Sequence, residues 1–375
     1  MPSLQASVSR RYPFVVSLDL ERLELAQNAR RSLERTVSTP DILAHLGTPG
    51  AVHEPFWTMA RAQGWSAALV PEAYEGLGLS LGAFGGIAFE IGRRVAGAPF
   101  LTTSYAVIRA LIGHGRESDR QRWLPALASG ALIGSAALGA GHGLAHGSLR
   151  FSGGRLDGIA PGVAGGAQAD IAVVLADGED GPVLAIAELG PVRRRRFDSI
   201  DTLRGTADLI FPEVAAGVLA RGREATEAAL DVLAAQAVLC AFEQAGGAAD
   251  LVERARDHAC ARKAFGQPIG AFQGIKHKIA TMYGLSELAR AASEHAALRE
   301  GAPDFRQAAA AARLQAIEAY DTCARECVQV HGGTGVTWES GLHLHLRRAR
   351  TLAIELGPAI VWEDILINTL LAEGR

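Results

Sequence analysis

The chain has 375 residues, of which 49 % are hydrophobic and 21 % charged, with a formal net charge of −3. This balance is typical of a globular protein rather than a disordered or fibrous one, and the length predicts two or three domains. The small net charge excludes an electrostatic preference for nucleic acid or an anionic membrane, so neither is expected as a partner.

The protein is expected to be soluble and cytoplasmic. Residues 1–20 lack the apolar segment of a secretory signal. The most apolar stretch, Val232–Phe242, is shorter than the roughly 20 residues that span a bilayer. The cysteines lack the spacing of a zinc site, and we interpret them as buried thiols in a reducing compartment, with no metal bound. They are Cys240, Cys260, Cys323 and Cys327.

Residues 1–130 predict a helical domain. Apolar residues recur at helical spacing over residues 18–46 and 52–64, and Pro49-Gly50 separates the two segments. A loop rich in proline and glycine follows at Pro71–Gly78. Further helices are expected at Leu81–Val95, at Thr102–Gly113 and in a short charged segment that stops near Gly130.

Residues 131–218 predict a small β domain. Glycines are frequent, and short β-type runs alternate with turns such as Gly153-Gly154 and Asp180-Gly181. Strands at this spacing are typical of a sandwich or barrel. The basic run Arg193–Arg196 is interpreted as a solvated strand or loop, with a phosphate contact as the alternative. Strands are expected at Leu149–Phe151, Ile171–Leu175, Val183–Ile186 and Leu209–Phe211.

Residues 219–375 predict a helical bundle, because alanine-rich segments resume the helical period. His343 and His345 have no carboxylate or cysteine at ligand spacing, so a structural or surface position is expected for both. The predicted fold class is α+β, with an N-terminal helical domain, a middle β-sandwich or barrel and a C-terminal four-helix bundle. The bundle helices are expected at 224–262, 273–299, 306–330 and 357–373.

Four segments carry motifs of known form. They are a PE-x-x-G-G-x-G-like turn at Pro71–Gly78, RWLPALASG at Arg122–Gly130, RKAFGQPIGAFQ at Arg262–Gln273 and QVHGGTG at Gln329–Gly335. In this order, and with this domain order, they resemble the acyl-CoA dehydrogenase family, and the two C-terminal motifs are the most specific. The segment Glu243–Gly247, 19 residues before Arg262, is similar to the family's actinobacterial steroid-degradation branch.

The resemblance implies that FAD is the cofactor. The β domain would hold the flavin ring of its own subunit, and the two C-terminal motifs would contact the FAD of a neighbouring subunit. Arg262 offers forked donors to a pyrophosphate, and Gly332-Gly333 let the backbone approach without a Cβ in the way. The alternative is that Arg262 and Phe265 only cap and pack a helix end. The implied cofactor-binding residues are Arg262, Phe265, Gln273, Gln329, Gly332 and Gly333.

Three departures from the family pattern concern the flavin ring and the base. Residues 136–143 stand where the family has TEPGAGSD, and residues 162–165, Gly-Val-Ala-Gly, stand where it has WITN. The family's usual C-terminal base aligns with Leu356-Gly357-Pro358, and the nearest carboxylate is Glu355, one residue early.

A second carboxylate, Glu243, is a candidate for the base. It lies seven residues after Gln236, where some family members carry their base. Seven residues turn a helix by about 700°, so both positions share one face. Gly246 and Gly247 suggest that a ligand or a helix packs closely beside them. The sequence therefore favours Glu243 as the base, with Glu355 as the alternative and a surface or salt-bridged Glu243 as the competing interpretation.

The expected function is FAD-dependent α,β-dehydrogenation of an acyl-CoA thioester to the trans-2-enoyl-CoA. By the resemblance, a flavin ribityl hydroxyl and the backbone N–H near Leu356 are expected to polarise the thioester carbonyl. The implied partners are the acyl-CoA, an electron-transfer acceptor protein and related subunits in a homo- or hetero-tetramer. Two alternatives remain open: a non-catalytic partner subunit of a heteromeric dehydrogenase, and an acyl-CoA-binding protein on this fold that has lost FAD.

Overall fold

The computed structural model describes residues 13–48, 50–97, 100–139 and 148–373. The first part of the chain is helical, as the sequence predicts. Its helices are α1 (Pro13–Thr36), α2 (Thr39–His45), α3 (Glu54–Ala62), α4 (Leu81–Arg93), α5 (Phe100–His114) and α6 (Glu117–Ala128).

The helix expected over residues 18–46 is two helices, so that prediction was wrong in detail. The Ser38 hydroxyl accepts a hydrogen bond from the Asp41 N–H at 3.3 Å, and the Asp41 carboxylate accepts one from the Ser38 N–H at 3.1 Å. This capping box starts a new helix after Val37, because it satisfies N–H groups that have no partner in the first turn.

Residues 134–221 form the β domain. Its strands are β1 (Gly134–Ala137), β2 (Arg150–Ser152), β3 (Arg155–Val163), β4 (Ile171–Gly178), β5 (Gly181–Glu188), β6 (Arg193–Arg196) and β7 (Ala207–Arg221). Strands β4, β5, β7, β3 and β2 pair in a closed cycle, which makes the domain a small barrel. Strand β1 pairs with β4, and β6 pairs with β7. Each strand that the sequence predicts overlaps a strand of this barrel, although β2 begins one residue later than expected, at Arg150. The basic run is β6, an exposed strand, as expected.

The C-terminal part is a four-helix bundle with one additional helix. The bundle consists of α7 (Gly222–Ala261), α8 (Gln273–Leu298), α9 (Phe305–His331) and α11 (Ala359–Glu373). Between α7 and α8 lie two short strands, β8 (Lys263–Ala264) and β9 (Gln267–Pro268). The additional helix is α10 (Leu342–Glu355), which the sequence analysis did not predict.

Helix α7 runs through the centre of the molecule and packs against α4, α5, α8 and α9. It is long and apolar enough to cross a bilayer, yet 78 % of its most apolar window is buried inside the protein, as in the central helix of a core. Cys240 on α7 is buried, as are Cys323 and Cys327 on α9. Cys260 is exposed, so the expectation of four buried thiols was wrong for that residue.

The small residues near the middle of α7 allow close helix packing. A Cβ added at Gly246 would lie 1.9 Å from the carbonyl oxygen of Phe89, and one added at Gly92 would lie 1.9 Å from that of Glu243. A Cβ at Gly247 would meet the ring of Tyr320 at 2.4 Å. Of the two occupants expected beside Gly246 and Gly247, a ligand or a helix, the structure therefore shows helices: α4 on one side and α9 on the other.

Candidate functional site

A cavity lies where the barrel meets helix α7 and the end of α10. Strand β1 and the residues after it form one side, β3 forms another, and Leu233 and Gln236 of α7 face them. Glu355 and Leu356 lie at the end of α10. The lining residues are Ala136, Ala137, Leu138, Gly139, Leu149, Ala160, Pro161, Gly162, Val163, Ala164, Leu175, Leu233, Gln236, Glu355 and Leu356.

Glu355 is the carboxylate that reaches this cavity, and Arg204 holds it. The Nε of Arg204 donates to Oε2 of Glu355 at 2.8 Å, and its Nη2 donates to Oε1. Such a forked pair fixes the plane of the carboxylate as well as its position. The Glu355 side chain is only 2 % exposed, so the pair is buried although it borders the cavity.

Glu243 lies behind this pair and does not line the cavity. Its side chain is 0 % exposed. Nη1 of Arg204 approaches both carboxylate oxygens of Glu243, at 3.4 and 3.2 Å, and Nη1 of Arg348 donates to Oε1 at 2.6 Å. Two arginines therefore bind the residue that the sequence favours as the base.

Arg348 connects this cluster to the N-terminal domain. Its Nε donates to Asp201 at 2.6 Å, and its Nη groups donate to the carbonyl oxygens of Val95 and Ala96, both at 3.2 Å. Val95 has φ 52°, a conformation that β-branched residues rarely adopt. Burial disfavours the charge of Arg348, but Asp201 and Glu243 outweigh this effect and raise its pKa.

The cluster is charge-balanced when its carboxylates are ionised. Arg204, Arg348 and the nearby Arg313 oppose Asp201, Glu243 and Glu355. Arg313 is fully buried, and the described residues include no carboxylate within ion-pair distance of it. It donates instead to the side chain of Gln244 and the carbonyl of Leu352.

Burial also disfavours the charge on Arg204, but the fields of Glu243 and Glu355 outweigh it and raise the pKa well above the ordinary value. Arg204 is therefore a permanent cation. Burial raises the pKa of the adjacent Cys240 thiol to about 12, so this group is neutral near pH 7.

Leu356 lines the cavity beside Glu355, as its predicted role requires. Its backbone N–H hydrogen-bonds to the carbonyl of Ile354, which also accepts a hydrogen bond from the Gly357 N–H at 3.0 Å. A substrate carbonyl would therefore share the Leu356 donor with this turn.

The six predicted cofactor-binding residues lie away from the cavity, on an exposed surface. Arg262 caps α7, and His258, one turn earlier, stacks on His331 at the end of α9 with ring centroids 4.1 Å apart. This contact brings the segments Arg262–Gln273 and Gln329–Gly335 together. All six residues are exposed: Arg262, Phe265, Gln273, Gln329, Gly332 and Gly333.

This surface fits a phosphate-bearing cofactor end. Helix α8 begins at Gln273 without a side-chain cap, so its first N–H groups and positive dipole end face outward. A Cβ added at Gly332 or Gly333 would meet no atom within 4 Å, which leaves room for a close approach. Phe265 is 95 % exposed and has φ 51° at the tip of the β8–β9 hairpin. A strained, fully exposed aromatic residue is typical of a surface that another molecule covers.

The barrel side of the cavity shows the predicted departures. Among the described lining residues, none supplies a hydroxyl or an aromatic ring. The Ser135 hydroxyl donates to the carbonyl of Ala164, and the Gly162 N–H donates to Asp208. Residues 140–143 of the segment aligned with TEPGAGSD lie outside the described residues.

Sequence reasoning missed Arg204, Arg348 and Asp201. One signal could have revealed Arg348: it lies four residues from both Leu344 and Leu352, on the apolar face of its helix. An arginine on such a face requires a buried counter-ion. The loop that carries Asp201 and Arg204 has no periodicity, so nothing in the sequence indicates that they lie together.

A helical domain, a small barrel and a four-helix bundle around a carboxylate at their junction define an acyl-CoA dehydrogenase. Two models of that family match the chain: acyl-CoA dehydrogenase, N-terminal domain, over residues 20–131, and acyl-CoA dehydrogenase, C-terminal domain, over residues 225–371. Together they cover well over half of the chain, which therefore belongs to the acyl-CoA dehydrogenase family and is an oxidoreductase of that class.

Individual relatives agree with this assignment. The chain is 29 % identical to acyl-CoA dehydrogenase IpdE2 of Mycobacterium tuberculosis, over 88 % of this chain and 91 % of the relative. It is 27 % identical to the mitochondrial short-chain specific acyl-CoA dehydrogenase of Homo sapiens, over 82 % and 80 %. The solved Tcur3481-Tcur3483 steroid ACAD superposes with a TM-score of 0.84 at 27 % identity, over 95 % of this chain and 99 % of that one.

Proposed function

We propose that the protein catalyses FAD-dependent α,β-dehydrogenation of an acyl-CoA thioester to the trans-2-enoyl-CoA. The observation that carries this proposal is the Glu355 carboxylate at the cavity between barrel and bundle, in a chain of this family. The similarity to a steroid ACAD and to IpdE2 supports a bulky, steroid-derived acyl group. Electrons would pass to a separate electron-transfer protein in the cytoplasm.

The geometry supports Glu355 better than Glu243 as the base. A general base must come within hydrogen-bond reach of the proton that it removes. Glu355 lines the cavity, whereas Glu243 is fully buried between two arginines and shielded by the close contact of α4 with α7. The position that some relatives use for a base is occupied here by Gln236, which lines the cavity but cannot take up a proton at neutral pH.

Each residue of the site would have a separate role in the reaction. Glu355 would remove the α proton, and the Leu356 N–H would donate to the thioester carbonyl and so make that proton more acidic. FAD, when bound, supplies the acceptor for the β hydrogen, which leaves as hydride. Arg262 and the N-terminus of α8 would hold cofactor phosphates, and Gly332 and Gly333 would allow its close approach.

Two isosteric variants test the base assignment. We expect Glu355→Gln to lower turnover about a hundredfold or more, the scale of losing a positioned general base. Glu243→Gln keeps the shape and a hydrogen-bonding group behind Arg204, so we expect a smaller loss. Flavin content and circular dichroism serve as controls for folding. If Glu243→Gln abolishes turnover and Glu355→Gln does not, the assignment is reversed.

A second candidate function is a supporting subunit of a heteromeric dehydrogenase. It is favoured by the absence of a hydroxyl or aromatic ring among the described lining residues, and by the two chains named in the related steroid ACAD. Losing one stacking contact costs about 0.5–1.5 kcal/mol and losing one hydrogen bond about the same. Together they weaken flavin binding roughly ten- to a hundredfold.

A flavin count separates the two candidates. We expect the chain purified alone to hold less than one FAD per subunit by absorbance, and a related chain encoded nearby to restore full occupancy on co-expression. Full occupancy together with thioester-dependent bleaching in the homomer would show a self-sufficient dehydrogenase instead.

A further inference from the structure

Arg204 binds two carboxylates with one guanidinium group. Its Nε and Nη2 face Glu355, and its Nη1 faces Glu243. The residue comes from the barrel, in the loop that leads into β7, whereas Glu243 and Glu355 belong to helices. The side chain is 1 % exposed, so water does not compete for these contacts.

The end of α10 does not by itself favour a carboxylate. Glu355 is the last residue of that helix, where the dipole is negative and repels an anion. The chain turns sharply after it, at Gly357 with φ 94°, and the preceding Ile354 is exposed. Among the described contacts, the hydrogen bonds that fix the Glu355 side chain come from Arg204.

Arg204 in turn is held by a series of fixed groups. Glu243 binds it from behind, Arg348 binds Glu243 at 2.6 Å, and Asp201 binds Arg348 at 2.6 Å. We infer that Arg204 is a positioning residue that holds the Glu355 carboxylate in its reactive orientation at the cavity, with Glu243 as the anchoring counter-ion. This inference rests on the proposed function and gives Glu243 a role other than that of a base.

The groups that face Glu355 define the effect expected when Arg204 is removed. Arg204 is the adjacent cation, Glu243 lies beyond it, and Cys240 and Arg313 lie on the bundle side. The neutral side chain of Gln236 faces the same cavity. Without Arg204, Glu355 would lose the two hydrogen bonds that fix the orientation of its carboxylate.

A matched pair of double variants tests the inference. The first double variant is Arg204→Met with Glu243→Gln, and the second is Arg348→Met with Glu243→Gln. Each removes one arginine and the same carboxylate, so the net buried charge is equal in the two proteins. Only the first removes a contact to Glu355. Turnover is measured on the flavin-loaded protein, with its co-expressed neighbour where flavin binding needs one. The probes are octanoyl-CoA and the CoA thioester of a steroid side-chain acid, with ferrocenium as the acceptor.

We expect the double variant Arg204→Met with Glu243→Gln to lower kcat about ten- to a hundredfold relative to Glu243→Gln alone, which is the scale of a misplaced catalytic group. KM should change little. The double variant Arg348→Met with Glu243→Gln should keep the kcat of Glu243→Gln, because it removes no contact to Glu355. Arg204→Lys keeps the positive charge but cannot donate two parallel hydrogen bonds to Glu355, so it should give an intermediate kcat. This single variant replaces the double variant in the test if the double variant fails to fold.

Three results would overturn the inference. The first is a double variant Arg204→Met with Glu243→Gln that is folded by near-ultraviolet circular dichroism and keeps the kcat of Glu243→Gln. The second is the same loss of kcat in both double variants. The third is no turnover by the wild-type protein with its neighbour, which removes the proposed function and this inference with it, whereas the first two leave the proposed function intact.

Discussion

Gly92 and Gly246 occupy the crossing of helices α4 and α7, where each lies against a backbone carbonyl of the other helix. Backbone atoms cannot rotate away as a side chain can, so an added methyl group must push the two helices apart. The sequence indicated only that small residues were needed near Gly246. The sequence did not indicate which neighbouring element requires these small residues, because the contact joins segments about 150 residues apart.

A glycine-to-alanine pair tests this crossing. Alanine favours a helix over glycine by about 1 kcal/mol, but overpacking costs typically 1–3 kcal/mol and occasionally more. Gly246→Ala should therefore lower the free energy of unfolding in chemical denaturation. Gly284→Ala in the exposed part of α8, where a Cβ meets nothing within 4 Å, should raise it by up to about 1 kcal/mol. Equal effects of the two substitutions would contradict the crossing.

The candidate site was only partly predictable at the residue scale. The motif residues Arg262, Phe265 and Gly332 could be named as cofactor-binding candidates because their motifs are defined by spacing along the chain. Glu243 and Glu355 could be named as carboxylates, but the choice between them depends on Arg204, which comes from a loop with no pattern of its own. The apolar face of α10 indicates that Arg348 is buried, but no pattern in the sequence indicates which carboxylates pair with it, because the pairing depends on three-dimensional contact.

At the scale of elements, periodicity predicted most of the helices and the barrel strands, because both patterns follow from which face is buried. Periodicity failed to predict the helices whose bounds or buried faces depend on polar side chains. The Ser38–Asp41 capping box divides one apolar stripe into two helices. Helix α10 was missed because arginines and histidines interrupt its apolar face, and in the structure Arg348 and His345 are buried against counter-ions or polar partners.

At the scale of the whole molecule, the exposed apolar side chains of α11 imply further assembly. Ile360, Ile367 and Leu371 recur on this helix, and each is at least 50 % exposed. Phe265 and the segment Gln329–Gly335 would also need a neighbouring subunit if they serve that subunit's FAD. We therefore expect a tetramer, arranged as a dimer of dimers with the C-terminal bundles at its centre.

Light scattering at micromolar concentration tests the assembly. Ile367→Lys should shift the molar mass below that of the tetramer, because it places a charge in an apolar contact. Leu77→Lys alters a similarly exposed leucine, at 49 % against 52 %, in the loop Pro71–Gly78 of the N-terminal domain, and it should leave the mass unchanged. A monomeric wild-type protein would contradict the tetramer and any cofactor site shared between subunits.

The ion cluster around Arg348 also has a consequence for folding. It joins the turn after α4, the barrel loop at Asp201 and Arg204, and helices α7 and α10. Pulling the barrel loop, α7 or α10 away would strand an unpaired charge in the others, which costs about 3–5 kcal/mol. Pulling the turn after α4 away would leave Arg348 without two of its buried acceptors. The helical domain, the barrel and the bundle are distinct in architecture, but this shared penalty couples them, so they should unfold as one cooperative unit.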